Sequence, residues 1–232
     1  DHRDLHSFPT RRSSDLIMIV VYLKPNLGKI EENYSLLKSE IKSYGMKIYS
    51  GNIIGNISQY ADRFLITLFM NTSALGSYSL AFRVSSPLRL VSQSLSVSAF
   101  KEFTDSKRID ENIFRLNIIL LIISSVGLIL LTPVIVDLFF GPLFSEIKYI
   151  IPIMALGIFL TGLSQPINAF LGAKKKGEYV RNIAIISPLI NIALNCILIP
   201  IFGLVGAAVS LVAGSFAGLL FHLYYYQKTI ME

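Results

Sequence analysis

Four ionisable side chains lie in a stretch that is otherwise apolar enough for a membrane. Asp62, Arg63, Arg83 and Arg89 all fall between residues 51 and 100. A charge in hydrocarbon costs at least about 2.5 kcal/mol, so such residues face one another or a water-filled cavity and mark a transport path. We therefore interpret residues 51–100 as one wall of a transport cavity.

The depth of these charges predicts which of them pair. In a helical hairpin whose turn is centred near residues 71–74, Asp62 lies level with Arg83, about 10 Å inside the membrane boundary at about 1.5 Å per residue. Either charge alone would be buried without compensation, so we expect the two to form an ion pair or a hydrogen bond. Such a pair would either pin two helices together or take a direct part in transport.

Arg89 lies deeper in the predicted hairpin, and no acidic residue of the sequence is level with it. The planar fork of its guanidinium matches phosphate oxygens, which makes Arg89 a candidate anion site. The alternative is a pair with a carboxylate on helices outside this sequence. Arg63 points about 100° away from Asp62 on the same helix, and would face the same cavity or extend toward the membrane surface.

Polar residues recur at steps of three and four, which places them along single helix faces. The first two stripes contain Asn52, Gly55, Gln59 and Asp62, and then Ser79, Arg83, Ser86, Arg89, Gln93 and Ser96. Later stripes contain Thr161, Gln165 and Asn168, and then Pro188, Asn191 and Asn195. The predicted substrate-binding residues of the cavity are Arg83, Arg89, Asp62, Gln59, Gln93 and Asn191. For the Asn and Gln side chains, hydrogen bonding between helices is the alternative interpretation.

Composition places the chain among membrane proteins. It has 232 residues, of which 53% are hydrophobic and 16% charged, and its mean hydropathy is +0.58. The single cysteine, Cys196, excludes an internal disulfide and a cysteine metal cluster. A net charge of +6 does not indicate nucleic-acid binding, because the basic residues lie in short segments between apolar spans. We predict no metal, no cofactor and no catalytic residue.

The hydropathy pattern predicts an all-α integral membrane fold with about six transmembrane helices in residues 47–226. The expected spans are 47–69, 76–100, 113–137, 148–172, 180–200 and 204–226. Residues 17–23 read as the end of a truncated helix, residues 24–46 as a loop with a surface helix, and residues 227–232 as a tail. Turns are expected at Gly141-Pro142 and at Gly203, kinks at Pro87 and Pro188, and a close helix approach at Gly214 and Gly218.

The loops predict orientation, because Lys and Arg accumulate on the cytoplasmic side of a membrane protein. Fourteen lysines and arginines fall in the connections and tail on one side, against Lys148 alone on the other. We therefore expect the first complete helix to enter from the cytoplasm and the C-terminus to return there. The lysines at 174–176 are also placed to meet anionic membrane lipids.

Residues 1–16, DHRDLHSFPTRRSSDL, have neither a helical nor a strand period and stop abruptly before the apolar IMIVVYL. Written as codons, they resemble one reading frame of a widely used short-read sequencing adaptor. We therefore set them aside as non-native, and expect the native chain to start near Ile17 with upstream sequence missing. The alternative is a disordered basic arm.

Two segments carry a family resemblance. Residues 44–83, YGMKIYSGNIIGNISQYADRFLITLFMNTSALGSYSLAFR, and residues 191–212, NIALNCILIPIFGLVGAAVSLV, resemble the C-terminal lobe of Wzx-type polysaccharide-export flippases. The Lys-rich loop GAKKKGEYVRN is similar as well. These flippases belong to the multidrug/oligosaccharidyl-lipid/polysaccharide (MOP) superfamily, which includes the MATE transporters.

The resemblance implies a two-lobe transporter around a central cavity, of which this chain is the second lobe and lacks the first. It implies an oligosaccharide on undecaprenyl pyrophosphate as substrate, flipped across the bacterial inner membrane for O-antigen, capsule or exopolysaccharide assembly. Arg83 and Arg89 would meet the pyrophosphate. No nucleotide motif such as GxxxxGK occurs, so an ion gradient or downstream consumption would drive transport. A lone lobe is expected not to function.

Two other functions stay open at this point. A drug or cation antiporter of the same superfamily would rest on acidic cavity residues, and here the cavity arginines outnumber Asp62. A membrane glycan polymerase or ligase would be an enzyme with catalytic residues in substantial external loops, and the predicted outer connections are short. The flippase interpretation, which is not enzymatic, is therefore preferred.

Overall fold

The computed structural model describes residues 34, 38, 39, 41 and 45–232, without the side chains at 47, 48, 51, 52 and 54–59. The predictions for residues 1–16 and 17–23, and nearly all of those for 24–46, lie outside the described residues. The elements described below all belong to the compact unit that spans Ser43–Glu232.

The described part of this unit is built from helices. They are α1 (Met46–Phe69), α2 (Thr72–Ser85), α3 (Pro87–Ser98), α4 (Phe100–Asp105), α5 (Glu111–Phe139), α6 (Ile147–Ala173) and α7 (Gly177–Met231), with a short 3-10 turn at Pro142–Phe144. By length and composition, α5, α6 and α7 could cross a membrane. Because α7 folds back at Gly203, its two arms correspond to two of the predicted spans. The predicted all-α membrane class is confirmed.

Local sequence explains where several of these helices begin. Asn71 is extended, and its side-chain oxygen accepts a hydrogen bond from the Ala74 amide at 2.8 Å, so α2 starts with a side-chain cap. Pro87 has no N–H to donate, and the helix that begins at Thr72 is interrupted there and restarts as α3. The helix is thus interrupted where a kink was predicted at Pro87, whereas the φ and ψ angles of α7 stay helical at Pro188.

The two arms of α7 form an antiparallel hairpin. Gly203 has a φ of +59°, a conformation that favours glycine, and it redirects the chain between the arms. The Ser187 hydroxyl donates to the Gly214 carbonyl over 2.8 Å, and a Cβ built on Gly214 would lie 2.8 Å from the Cβ of Asn191. The close approach predicted from Gly214 and Gly218 is therefore confirmed.

Helix α6 lies at the centre of the packing. Its buried residues Ile147, Ile151 and Met154 have no exposed surface and belong to the largest hydrophobic cluster. The Gly162 carbonyl accepts two hydrogen bonds from other helices, one from the Ser92 hydroxyl at 2.6 Å and one from the Asn117 amide at 3.2 Å. These bonds tie α3 and α5 to the middle of α6, where water is not available as a partner.

Candidate functional site

A cavity of about 200 Å³ lies where α1, the α2–α3 break, α6 and α7 meet. We call it the charged cavity. It is lined by Asp62, Arg63, Tyr78, Phe82, Ser86, Arg89, Ile158, Thr161 and Leu211. Three of the four charges singled out in the sequence therefore share one cavity, and two of these three are cationic.

The carboxylate of Asp62 is held by neutral side chains. The Asn195 amide nitrogen donates to Asp62 Oδ1 over 2.8 Å and to Asn191 Oδ1 over 3.1 Å. Asn195 has no exposed surface, and the buried Tyr78 side chain also interacts with the Asp62 carboxylate. These contacts join α1, α2 and the first arm of α7, and they stabilise the carboxylate without using an arginine.

The predicted contact between Asp62 and Arg83 is wrong. Helix α1 ends at Phe69 and α2 begins at Thr72, so the turn comes earlier and is tighter than the sequence suggested. The residue level with Asp62 is then Ser79, next to Tyr78, and Arg83 lies about 6 Å farther along the helix. Arg83 is exposed and does not line the charged cavity, and no ion pair or hydrogen bond joins it to Asp62.

The two cavity arginines differ in their surroundings. Arg89 is exposed into the charged cavity, and within the described ranges its side chain makes no hydrogen bond or ion pair. Arg63 is also exposed, and its Cζ lies 5.9 Å from the ring centroid of Tyr60, in cation–π range. The guanidinium of Arg89 therefore keeps its donors available for an anion.

The other predicted site residues lie elsewhere. Gln93 is exposed on α3 and does not line the charged cavity, and Asn191 is only 8% exposed and bonds Asn195. The side chain of Gln59 lies outside the described residues. Sequence reasoning missed Tyr78 and Phe82, although they precede Ser86 and Arg89 at steps of four, four and three.

A second cavity, of about 180 Å³, lies between α6 and the arms of α7. We call it the neutral cavity. It is lined by Thr161, Ser164, Gln165, Asn168, Val180, Ile183, Ala184, Ser187, Ser215, Gly218 and His222. Thr161 lines both cavities, so the neutral cavity lies next to the charged one along α6.

Comparison with known sequences finds proteins that are similar to this chain. A family model described as polysaccharide biosynthesis protein matches residues 14–108. The resemblance to polysaccharide flippases is confirmed. The chain is 27% identical over 222 residues to the probable low-salt glycan biosynthesis flippase Agl15 of Haloferax volcanii, covering 89% of this chain and 47% of the relative. It is 26% identical over 148 residues to the amylovoran biosynthesis protein AmsL of Erwinia amylovora, covering 60% and 36%.

Solved structures show the same fold. An outward-facing multidrug resistance MATE family transporter of the MOP superfamily superposes with a TM-score of 0.64 at 19% identity, over 81% of this chain and 44% of the transporter. A MOP superfamily transporter from Pyrococcus furiosus gives 0.62 at 16% identity, over the same shares. The chain thus spans about half the length of the curated relatives and transporters it matches, and its fold is that of one MATE-like lobe.

Proposed function

We propose that the protein that contains this chain flips lipid-linked oligosaccharides across a membrane for polysaccharide biosynthesis. The observation that carries the proposal is the charged cavity, where two arginines face one aspartate and Arg89 keeps its donors free. Two relatives named for glycan flipping and amylovoran biosynthesis support the same function. The finer proposal is an undecaprenyl pyrophosphate carrier in a bacterial inner membrane, with the C-terminus cytoplasmic.

The chemistry of the cavity fits a pyrophosphate better than a cation. A pyrophosphate carries several negative charges, and the fork of a guanidinium binds phosphate oxygens through charge-assisted hydrogen bonds. Because Asn195 and Tyr78 hold Asp62, its carboxylate does not occupy the donors of Arg89. An anion that enters the charged cavity would therefore find an available partner in Arg89.

A drug or cation antiporter is the second candidate function. The fold similarity to a multidrug resistance MATE transporter and the carboxylate of Asp62 in the cavity favour it. The Pyrococcus furiosus transporter is described as having a binding pocket of reverse polarity that suggests a different function. In this chain, the two arginines and one aspartate of the charged cavity support an anionic substrate. An enzymatic polymerase or ligase is not favoured by any of these observations.

Translocation measured in reconstituted vesicles tests the proposal. The product of the reading frame that contains this chain would be placed in proteoliposomes with fluorescent undecaprenyl pyrophosphate oligosaccharide, and movement between leaflets followed with a membrane-impermeant quencher. We expect protein-dependent movement that Arg89→Gln slows by about tenfold or more. Transport of ethidium, a drug cation, without movement of the glycolipid would overturn the flippase proposal and favour the antiporter.

A further inference from the structure

We propose that the neutral cavity is a sugar subsite, which binds an uncharged glycan ring next to the pyrophosphate in the charged cavity. The inference rests on the proposed function and deepens it. The polar stripe of α6 contains Thr161, Gln165 and Asn168, and bonding between helices was one interpretation of it. In the structure, Thr161 bonds Ser215 on α7, whereas Gln165 and Asn168 make no such bond among the described residues.

Two carboxamides face the neutral cavity without a protein partner. Gln165 and Asn168 are half-buried on α6, and in the part of the chain that the structure describes neither side chain makes a hydrogen bond. Each carboxamide offers two donors and one acceptor oxygen, the mixture that sugar hydroxyls need. A polar group at membrane depth without a partner is costly, and a ligand rich in hydroxyls would remove that cost.

The remaining polar side chains of the cavity already have internal bonds. The hydroxyls of Thr161 and Ser215 are 3.0 Å apart, and Ser187 donates to the Gly214 carbonyl at 2.8 Å. His222 Nδ1 lies 2.7 Å from the Gly218 carbonyl oxygen. Since a carbonyl only accepts, Nδ1 is the protonated nitrogen, and Nε2 of the neutral ring is an acceptor. The walls are therefore fixed, and Gln165 and Asn168 are the groups with unused donors.

Charge and size both favour a single neutral ring. Among the residues that the structure describes, no Asp, Glu, Lys or Arg lines this cavity, whereas Asp62, Arg63 and Arg89 line its neighbour. Its volume of about 180 Å³ equals about six waters at roughly 30 Å³ each, which is the scale of one monosaccharide. Uncharged carboxamides recognise hydroxyls without attracting a free anion away from Arg89.

The two cavities are ordered along one helix. Ile158 and Thr161 face the charged cavity, and Thr161, Gln165 and Asn168 face the neutral one. Thr161 and Asn168 are about 10 Å apart along the axis of α6. A pyrophosphate at Arg89 would therefore place the sugar attached to it beside Gln165, and the lobe would distinguish a glycosylated carrier from a bare one.

Binding by the full-length protein that contains this chain, purified in detergent micelles, tests the inference. The probes are farnesyl pyrophosphate and the same molecule bearing glucose, galactose or N-acetylglucosamine on its terminal phosphate. We expect at least one glycosylated probe to bind more tightly than the bare one. Gln165→Leu and Asn168→Leu should each remove about tenfold of that preference, the loss of one or two hydrogen bonds, and leave the affinity for farnesyl pyrophosphate unchanged.

The outcomes separate the inference from the proposed function. Gln227→Leu, an exposed glutamine near the end of α7, is the matched control and should keep the preference. If farnesyl pyrophosphate binds but no sugar adds affinity, or if the variants keep the full preference, the sugar subsite is overturned alone. If neither kind of probe binds, the proposed function fails with it. Thermal unfolding of each variant shows whether it is folded. If Gln165→Leu does not fold, the result for Asn168→Leu decides.

Discussion

The side-chain amide of Asn195 donates to the carboxylate of Asp62 over 2.8 Å, across 133 residues of sequence. The bond links α1 to the first arm of α7 and stabilises Asp62, the acidic side chain that lines the charged cavity. It also leaves Arg89 uncommitted, because the carboxylate obtains its donors from neutral groups. This relationship defines the electrostatics of the cavity wall.

Removal of the amide should destabilise the lobe. We expect Asn195→Ala to lower the free energy of unfolding by about 1–2 kcal/mol, because Asp62 then loses a buried donor. Reversible unfolding in mixed detergent and SDS micelles measures the change. Thr67→Ala on α1 is the control, since its hydroxyl bonds only the Arg63 carbonyl one turn away, and it should change stability by less than about 0.5 kcal/mol. Equal losses for the two variants would contradict a special role for the Asp62 contact.

Anion binding should depend on the arginine that faces the cavity. We expect Arg89→Gln to weaken binding of farnesyl pyrophosphate by about 10- to 100-fold, because it removes the charge-assisted hydrogen bonds of the guanidinium. Arg83→Gln, on the same hairpin but outside the charged cavity, should have a much smaller effect. Titration calorimetry of the full-length protein that contains this chain gives both affinities. A larger loss for Arg83 would show that the cavity described here is not the anion site.

The turn of α7 should not tolerate a side chain at Gly206. A Cβ at this position would lie 2.1 Å from the Leu198 carbonyl oxygen, and a backbone atom cannot move aside cheaply. We expect Gly206→Ala to destabilise the chain by about 2–4 kcal/mol or to prevent folding. Gly76→Ala is the matched control, because no atom lies within 4 Å of the added Cβ and alanine favours a helix by about 0.5–1 kcal/mol. A Gly206→Ala variant as stable as Gly76→Ala would show that the arms do not pack this closely.

The hydrogen bond from the Ser92 hydroxyl to the Gly162 carbonyl should contribute to the free energy of unfolding, whereas the bond made by the nearby Ser94 should not. Ser92 is fully buried and reaches α6 over 2.6 Å, whereas Ser94 is exposed and bonds the Leu90 carbonyl of its own helix. We expect Ser92→Ala to cost about 1 kcal/mol and Ser94→Ala to be neutral within about 0.5 kcal/mol. The same detergent unfolding assay compares them. A neutral Ser92→Ala would indicate that Asn117 alone satisfies the Gly162 carbonyl.

Much of the architecture was predictable, because hydropathy and the backbone effects of proline and glycine act locally along the chain. Four of the six predicted spans correspond to α5, to α6 and to the two arms of α7, which are long and apolar enough to cross a membrane, and the other two fall on α1 and on α2 with α3. The helices are interrupted at Pro87 and at Gly203, as expected from the covalent geometry of proline and glycine. The stripes on α6 and α7 were visible for the same reason, since steps of three and four follow from helix geometry alone.

The partners of those stripes were decided by tertiary structure. A turn displaced by two or three residues exchanged Arg83 for Tyr78 beside Asp62, because each residue shifts a helix face by about 100° and about 1.5 Å. Sequence therefore determined that Asp62, Arg89, Gln165 and Asn195 lie on the polar faces of helices. Only the packing of α1 and α6 against α7 decided that Asn195 would satisfy Asp62, while the carboxamide of Gln165 would face a cavity. Hydrogen bonds between helices depend on how two helices are rotated and shifted relative to each other. The spacing of residues within a single helix does not determine that rotation or that shift.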